Sequence, residues 1–212
     1  MATDVFRWPS FPDELPGFDT ETALEKPHTL FLDWVAEAGE HVLAPHAVTL
    51  STVDEDGPDA RVVVLRGVDD DGWAFSTSLD SPKAGQLERD PRAALTFFWP
   101  GRGRQVRLRG RVTRASEDAS ADDFDNRSPL SKAEVLLGHQ SEVLESHDEL
   151  VRAGAEVERA LRESPELRPV SWQRYMFVPT VVEFWQGAID RRHVRLRYRL
   201  EDGRWVRELL WP

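Results

Sequence analysis

The 212-residue chain has no cysteine. That excludes disulfides, thiolate catalysis and cysteine-ligated metal or iron–sulfur centres. It also fits a reducing compartment, so the expectation is a cytoplasmic protein. No apolar run approaches the ~20 residues needed to cross a bilayer. The acidic, Pro-rich start "MATDVFRWPSFPDELPGFD" lacks the basic leader and apolar core of a signal peptide. Basic residues are in the minority: 27 Lys and Arg stand against 38 Asp and Glu, a formal net charge of −11. This argues against a general nucleic-acid or anionic-membrane surface, while leaving room for a local basic pocket that captures a small anion. The six histidines are scattered, without HExxH or HxxxH spacing. No metal site, GxGxxG turn, P-loop or G-x-S-x-G elbow can be read, nor any solenoid repeat or low-complexity tract.

What is present is a foldable core, with 40% hydrophobic and 31% charged residues. We expect a flexible arm over 1–20 and one domain over 21–212. Leu30, Trp34, Val35 and Ala38 recur at helical spacing and predict a helix over 27–42. Alternating or continuous apolar runs bounded by "DEDG", "DDDG" and "EDGR" predict strands over 47–53, 60–68, 73–78, 92–100, 104–116, 172–178, 180–187, 192–200 and 205–211. Helices are expected over 81–90, 117–127 and 147–163, and a loop over 164–171. With these strands joined mostly by tight turns, the expected fold is mainly β (α+β), a barrel with peripheral helices, because closure removes exposed sheet edges.

Five stretches are candidates for chemistry, and each also has an ordinary structural explanation. "RVVVLRG" (61–67) is either a core strand with solvated ends or a strand lining a ligand, with Arg61 and Arg66 gripping phosphate. "FSTSLDSPK" (75–83) runs into a helix start, with Ser81 near the N-cap and Pro82 at the first helical position. It is an ordinary cap or an anion site assisted by Lys83. "GRGRQVRLRGRVTR" (101–114) is a half-exposed strand with a solvated basic face, Val106, Leu108 and Val112 forming the apolar one. We place Gln105 on that apolar parity, as a polar group able to meet a heteroaromatic ring. "DFDNRSPLS" and "HQSE" supply Arg127, Ser131, Gln140 and Ser141 as weak phosphate candidates. Finally, Arg191, His193, Arg195 and Arg197 alternate and would share one strand face. That face is either solvated or, with Trp185 six residues before Arg191, a stacking-plus-cation pocket.

In this order the motifs resemble the pyridoxamine 5′-phosphate oxidase family, from about residue 27 to Pro212. The quoted segments carry the resemblance, together with "DPRAALTFFW" and "EFWQG" followed by Arg191-x-His193-x-Arg195. It implies an FMN-binding split barrel that acts as an oxidase. FMN would be held by Arg61, Val62, Val63, Val64, Leu65, Arg66, Ser76, Thr77, Pro82, Lys83, Gln105, Gln140, Ser141, Trp185 and Arg195. The substrate phosphate would meet Arg66, Arg127 and Ser131, and Arg191 and His193 would act over the substrate ring. A homodimer with FMN at its interface, pyridoxine or pyridoxamine 5′-phosphate as substrate and O2 as acceptor follow from the same resemblance. The alternatives are an oxidase of another ring compound, of phenazine-precursor type, or a non-catalytic flavin- or tetrapyrrole-binding split barrel. Arg197 receives no role and is expected to be a solvated strand residue.

The departures from the family pattern fall mainly on the substrate side. Arg66 stands for Lys, Asp123 for Tyr, Ser128 for Pro, and "WQRY" (172–175) for Trp-Gly-Gly-Tyr. Glu208 stands near a usual basic position. On the cofactor side Ser76 replaces Tyr and Pro82 replaces Arg.

Overall fold

Eight antiparallel strands build one sheet that curls until its third and sixth strands meet, in a computed structural model describing residues 8–212. Residues 1–7 of the expected arm lie outside the described residues. The elements are α1 (Pro27–Gly39), β1 (Ala47–Asp54), β2 (Gly57–Asp69), β3 (Gly72–Ser78), α2 (Pro82–Arg89), β4 (Arg92–Trp99), β5 (Arg104–Arg114), α3 (Glu117–Asp125), α4 (Pro129–Leu136), α5 (His147–Glu163), β6 (Trp172–Gln186), β7 (Val194–Glu201) and β8 (Arg204–Leu209). The order β3-β2-β1-β4-β5-β6, closed by β3–β6 pairing, is a six-stranded barrel; β7 and β8 extend from the far half of β6.

One long β6 replaces the two strands expected over 172–178 and 180–187. Its first half pairs with β3 and its second half with β7, so it serves both the barrel and the extension. Pro179, which cannot donate to a ladder, sits at an irregularity opposite Gly110. A Cβ at Gly110 would lie 2.1 Å from the Val178 carbonyl oxygen, so only glycine permits this close approach.

The core is aromatic. Phe31 packs on Trp73, Phe97 and Trp99 with ring centroids 4.8–6.2 Å apart. Trp34 meets Phe184 edge to face at 5.1 Å, and Phe75 stacks on Tyr175 at 5.5 Å. Burying each large side chain contributes about 1.5–3 kcal/mol. Among the described residues before α1 there is no helix or strand, yet Phe18 packs on Trp34 at 4.9 Å. The Tyr198 hydroxyl donates to the Leu24 carbonyl at 2.6 Å, tying this segment to β7.

Several expectations change. A helix forms over 129–136 where none was read. Its signal is present in the sequence: Ser128 caps it by accepting from the Ser131 amide, and Pro129 takes the first helical position. Gln105 does not share the apolar parity. Val106, Leu108 and Val112 point inward, while Gln105 follows Arg107, Arg109 and Arg111 to the other face. Arg104 is not a solvated cation either. It is 4% exposed, donates to Glu37 Oε2 (2.6 Å) and Gln186 Oε1 (2.9 Å), and stacks 4.2 Å over Trp34. The α2 start is as expected, with Ser81 accepting from the Ala84 amide and Pro82 following.

Candidate active site

β2, the end of β3, the start of α2 and the α4–α5 region enclose a cleft of 1190 Å³. It gathers thirteen of the residues expected in the site: Arg61, Val62, Val63, Val64, Arg66, Ser76, Thr77, Pro82, Lys83, Arg127, Ser131, Gln140 and Ser141. Leu65 does not line it; its side chain turns into the core at 8% exposure. The valines of β2 are not a core run, because Val62 and Val64 are 65% and 45% exposed.

The cleft has two cationic ends. At one, Lys83 is buried, and its amine bonds the Thr77 hydroxyl at 3.2 Å. No carboxylate pairs with it among the described residues. Burial, with neighbouring Arg61 adding like-charge repulsion, holds its pKa below the ordinary lysine value. Arg61 is braced by the Thr52 hydroxyl (2.6 Å), by Gln86 Oε1 (3.0 Å) and by Asp59. Gln86 also donates to Asp54 and Asp59, which fixes the whole brace on α2. A buried cation that no carboxylate contacts, offset only by the more distant Asp59, beside the amino end of a helix is a poised anion site.

At the other end, Asp123 of α3 is 4% exposed. It accepts from Arg66 Nε and from Trp172 Nε1, each at 2.9 Å, and lies 3.6 Å from Arg127 Nη1. Burial pushes its pKa up, but these donors outweigh it and hold the carboxyl below the ordinary value. Arg127 stacks 4.5 Å over Trp172, and its Nε is buried without a partner. The Ser76 hydroxyl is near enough to favour the ionised carboxylate, yet makes no well-formed bond.

The remaining expected residues lie in a separate group. Gln105, Trp185 and Arg195 form one row across β5, β6 and β7, each directly opposite the next. Arg191 precedes β7 with a left-handed φ of 67°, and His193 also lies before the strand. The shared strand face therefore does not extend to them. His193 Nδ1 accepts from the Ala188 amide at 3.0 Å, which leaves Nε2 to carry the proton of the neutral ring. The ring lies 4.9 Å from Trp185 and 6.5 Å from Phe11. Arg195 donates through Nε and Nη2 to Glu183 Oε1 at 3.0 and 2.8 Å, and through Nη1 to the Trp211 carbonyl. Arg197 is not simply solvated: Glu208 accepts from its Nε and Nη2, and the same carboxylate binds Arg199. Glu208 lies on β8 and does not line the cleft.

Residues 35–161 match the family model described as "Pyridoxamine 5'-phosphate oxidase". The chain belongs to the pyridoxamine 5′-phosphate oxidase family. Residues 172–212 match that family's C-terminal dimerisation region, which supports a homodimer. A pyridoxine/pyridoxamine 5′-phosphate oxidase of Pseudomonas paraeruginosa is 38% identical over 200 residues, covering 92% of this chain and 93% of that protein. The enzyme of that name from Pseudomonas putida is 40% identical over the same shares. Among solved structures, PhzG of Burkholderia lata, in complex with tetrahydrophenazine-1-carboxylic acid, superposes with TM-score 0.86 at 29% identity, covering 93% of this chain and 99% of that one. A related FMN-binding protein of Nostoc punctiforme superposes with TM-score 0.74 at 18% identity, covering 90% of this chain, and shares the split-barrel fold.

Trp172, Glu183 and Asp59 were not read as site residues. Trp172 had a signal, standing in the altered "WQRY". Glu183 and Asp59 had none, because their importance comes from cross-strand or nearby partners.

Proposed function

We propose that this protein is an FMN-dependent oxidase of a small anionic ring compound. The observation that carries the reading is the buried, carboxylate-free Lys83 beside Arg61 at the start of α2, set in a cleft large enough for a flavin. The phosphate of FMN fits that end: two cations, the Thr77 hydroxyl and a helix amino end converge there. The unpartnered Ser76 hydroxyl and the exposed valines of β2 fit the rest of the cofactor. In the homodimer, the row Gln105, Trp185 and Arg195, with Arg191 and His193, completes the cleft of the partner subunit. This accounts for two groups of site residues that one chain keeps apart.

The redox chemistry, hydride transfer from the carbon bearing the amine or alcohol and reoxidation by O2 to hydrogen peroxide, is what FMN supplies when bound. The chain's own residues bind, orient and hold protons. Lys83 and Arg61 anchor the phosphate. Arg66, Arg127 and Ser131 hold the anionic end of the substrate. His193, with its Nδ1 fixed by Ala188, presents Nε2–H to the substrate as a donor, and Arg191 adds positive charge beside it.

Pyridoxine or pyridoxamine 5′-phosphate is the first substrate reading, supported by the curated relatives at 38–41% identity. A carboxylated ring is the second, favoured by the place of Asp123 between the two substrate-side arginines. Anaerobic titration of the FMN-loaded protein with both vitamers tests the pair. Bleaching of the flavin band, reversed by air, supports the first. A flavin that neither vitamer bleaches rejects it and directs the search to carboxylates.

A further inference from the structure

Arg66 and Arg127 would give this end of the cleft two positive charges. Asp123 takes one of them away. Its carboxylate is almost fully buried, fixed by Trp172 from one side and Arg66 from the other, and is held ionised. It therefore cannot be screened or moved aside as a surface carboxylate can. Glu134, exposed on the rim, adds a further negative charge that acts on Arg127 and that solvent partly screens. What remains for a ligand is at most a single net positive charge. Arg66 bonds Asp123 through Nε only, which leaves its two terminal nitrogens free of that carboxylate. The Arg127 guanidinium carbon also lies 4.5 Å from the centre of the Trp172 ring, which restrains the group. A planar carboxylate matches a single charge and a planar donor. A phosphate monoester, carrying about −1.5 to −2 near neutrality, would bring its second charge against a buried anion.

We propose that Asp123 sets the charge of the substrate this cleft accepts, selecting a ring compound with one carboxylate over one with a phosphate ester. The inference rests on the oxidase reading above and favours the second of its two substrate readings, the carboxylated ring, over the first. It makes Asp123 a specificity-determining residue that acts through Arg66 and Arg127.

The test uses the FMN-loaded dimer and two probes, phenazine-1-carboxylate and pyridoxal 5′-phosphate, with binding followed by perturbation of the flavin spectrum. Wild-type protein is expected to bind the carboxylate at least about tenfold tighter, the scale of one charge-assisted contact. In Asp123→Asn the phosphate probe should gain about tenfold, while the carboxylate probe changes less than threefold. A residue serving only to hold α3 in place would move both affinities together. Wild-type protein that binds the phosphate probe as tightly as the carboxylate, or a variant in which the ratio stays fixed, would overturn the proposal. If the variant does not fold, the wild-type comparison decides alone. Failure of the oxidase reading is separate: it shows as absence of FMN uptake, measured by quenching of flavin fluorescence before either probe is added.

Discussion

Two groups of cations in this chain have opposite fates. Arg195, Arg197 and Arg199 alternate along β7, and each meets a carboxylate of a neighbouring strand, Glu183 or Glu208. Lys83 and Arg61 come from different elements, and Lys83 meets only a hydroxyl. The first group looks like a binding face in sequence and is largely neutralised within its own sheet. The second is already marked in sequence as a candidate anion grip; Arg61 there is paired with Asp59, and it is Lys83 that keeps a charge an anion can use. Arg66 and Arg127 stand between, sharing one buried carboxylate. The lesson is that periodicity gives the direction of a side chain, while its availability depends on what the adjacent strand or helix places opposite.

The largest expected effect tests whether the β7 end contributes chemistry through the groups its carboxylates leave free. His193→Ala is expected to lower flavin reduction by substrate about a hundredfold or more, the usual range for a lost proton-handling group. FMN affinity, read by fluorescence quenching, should change little. Turnover that survives this substitution would remove the β7 end from the active site.

Next comes the unpaired end. Lys83→Ala should weaken FMN binding about 10- to 100-fold, corresponding to about 1.5–3 kcal/mol for a charge-assisted contact. Because Lys83 is buried at a cost, the empty variant should be no less stable toward heat than the empty wild type. FMN affinity unchanged by this substitution would break the comparison at its strongest point.

Much of this architecture was legible in advance. The turns "DEDG", "DDDG" and "EDGR" and the alternating runs located the strands, and the motif order located the cleft residues. What could not be read has physical causes. Pro179 marks a strand break by local rules, but pairing with β5 on both sides of it carries β6 through. Arg104 sits among exposed arginines, and only the packing of α1 buries it under Trp34 and Glu37. Asp123 was visible as a departure from the family, but its direction depended on Arg66, 57 residues away in the chain. α4 was a missed local signal, since Ser128-Pro129 has the form of a helix start.

Acid titration sharpens the middle case. Asp123 and Glu37 both have folded pKa values below their ordinary ones, opposed by burial but lowered by arginine partners. A lowered carboxylate contributes stability that is present above its unfolded pKa of about 4 and is lost as the pH falls through the folded value. Melting temperature should therefore decline below about pH 4, with a shallower decline in Asp123→Asn. Equal slopes would mean that Arg66 and Arg127 do not favour the ionised carboxylate.

The smallest effect is expected at Glu208, and it probes the paired group directly. Glu208 accepts from both Arg197 and Arg199, which hold its pKa down to about 2. Glu208→Gln would release Arg197, while Arg199 keeps Glu201, on the outer strand pair, none of whose residues lines the cleft. Such exposed ion pairs contribute little because water and salt screen them. The variant should bind FMN and reduce it as the wild type does, with only a slight, salt-dependent change in melting. FMN binding weakened as much as by Lys83→Ala would show that the β7 ladder acts on the cofactor. The division between neutralised and available cations would then have to be drawn elsewhere.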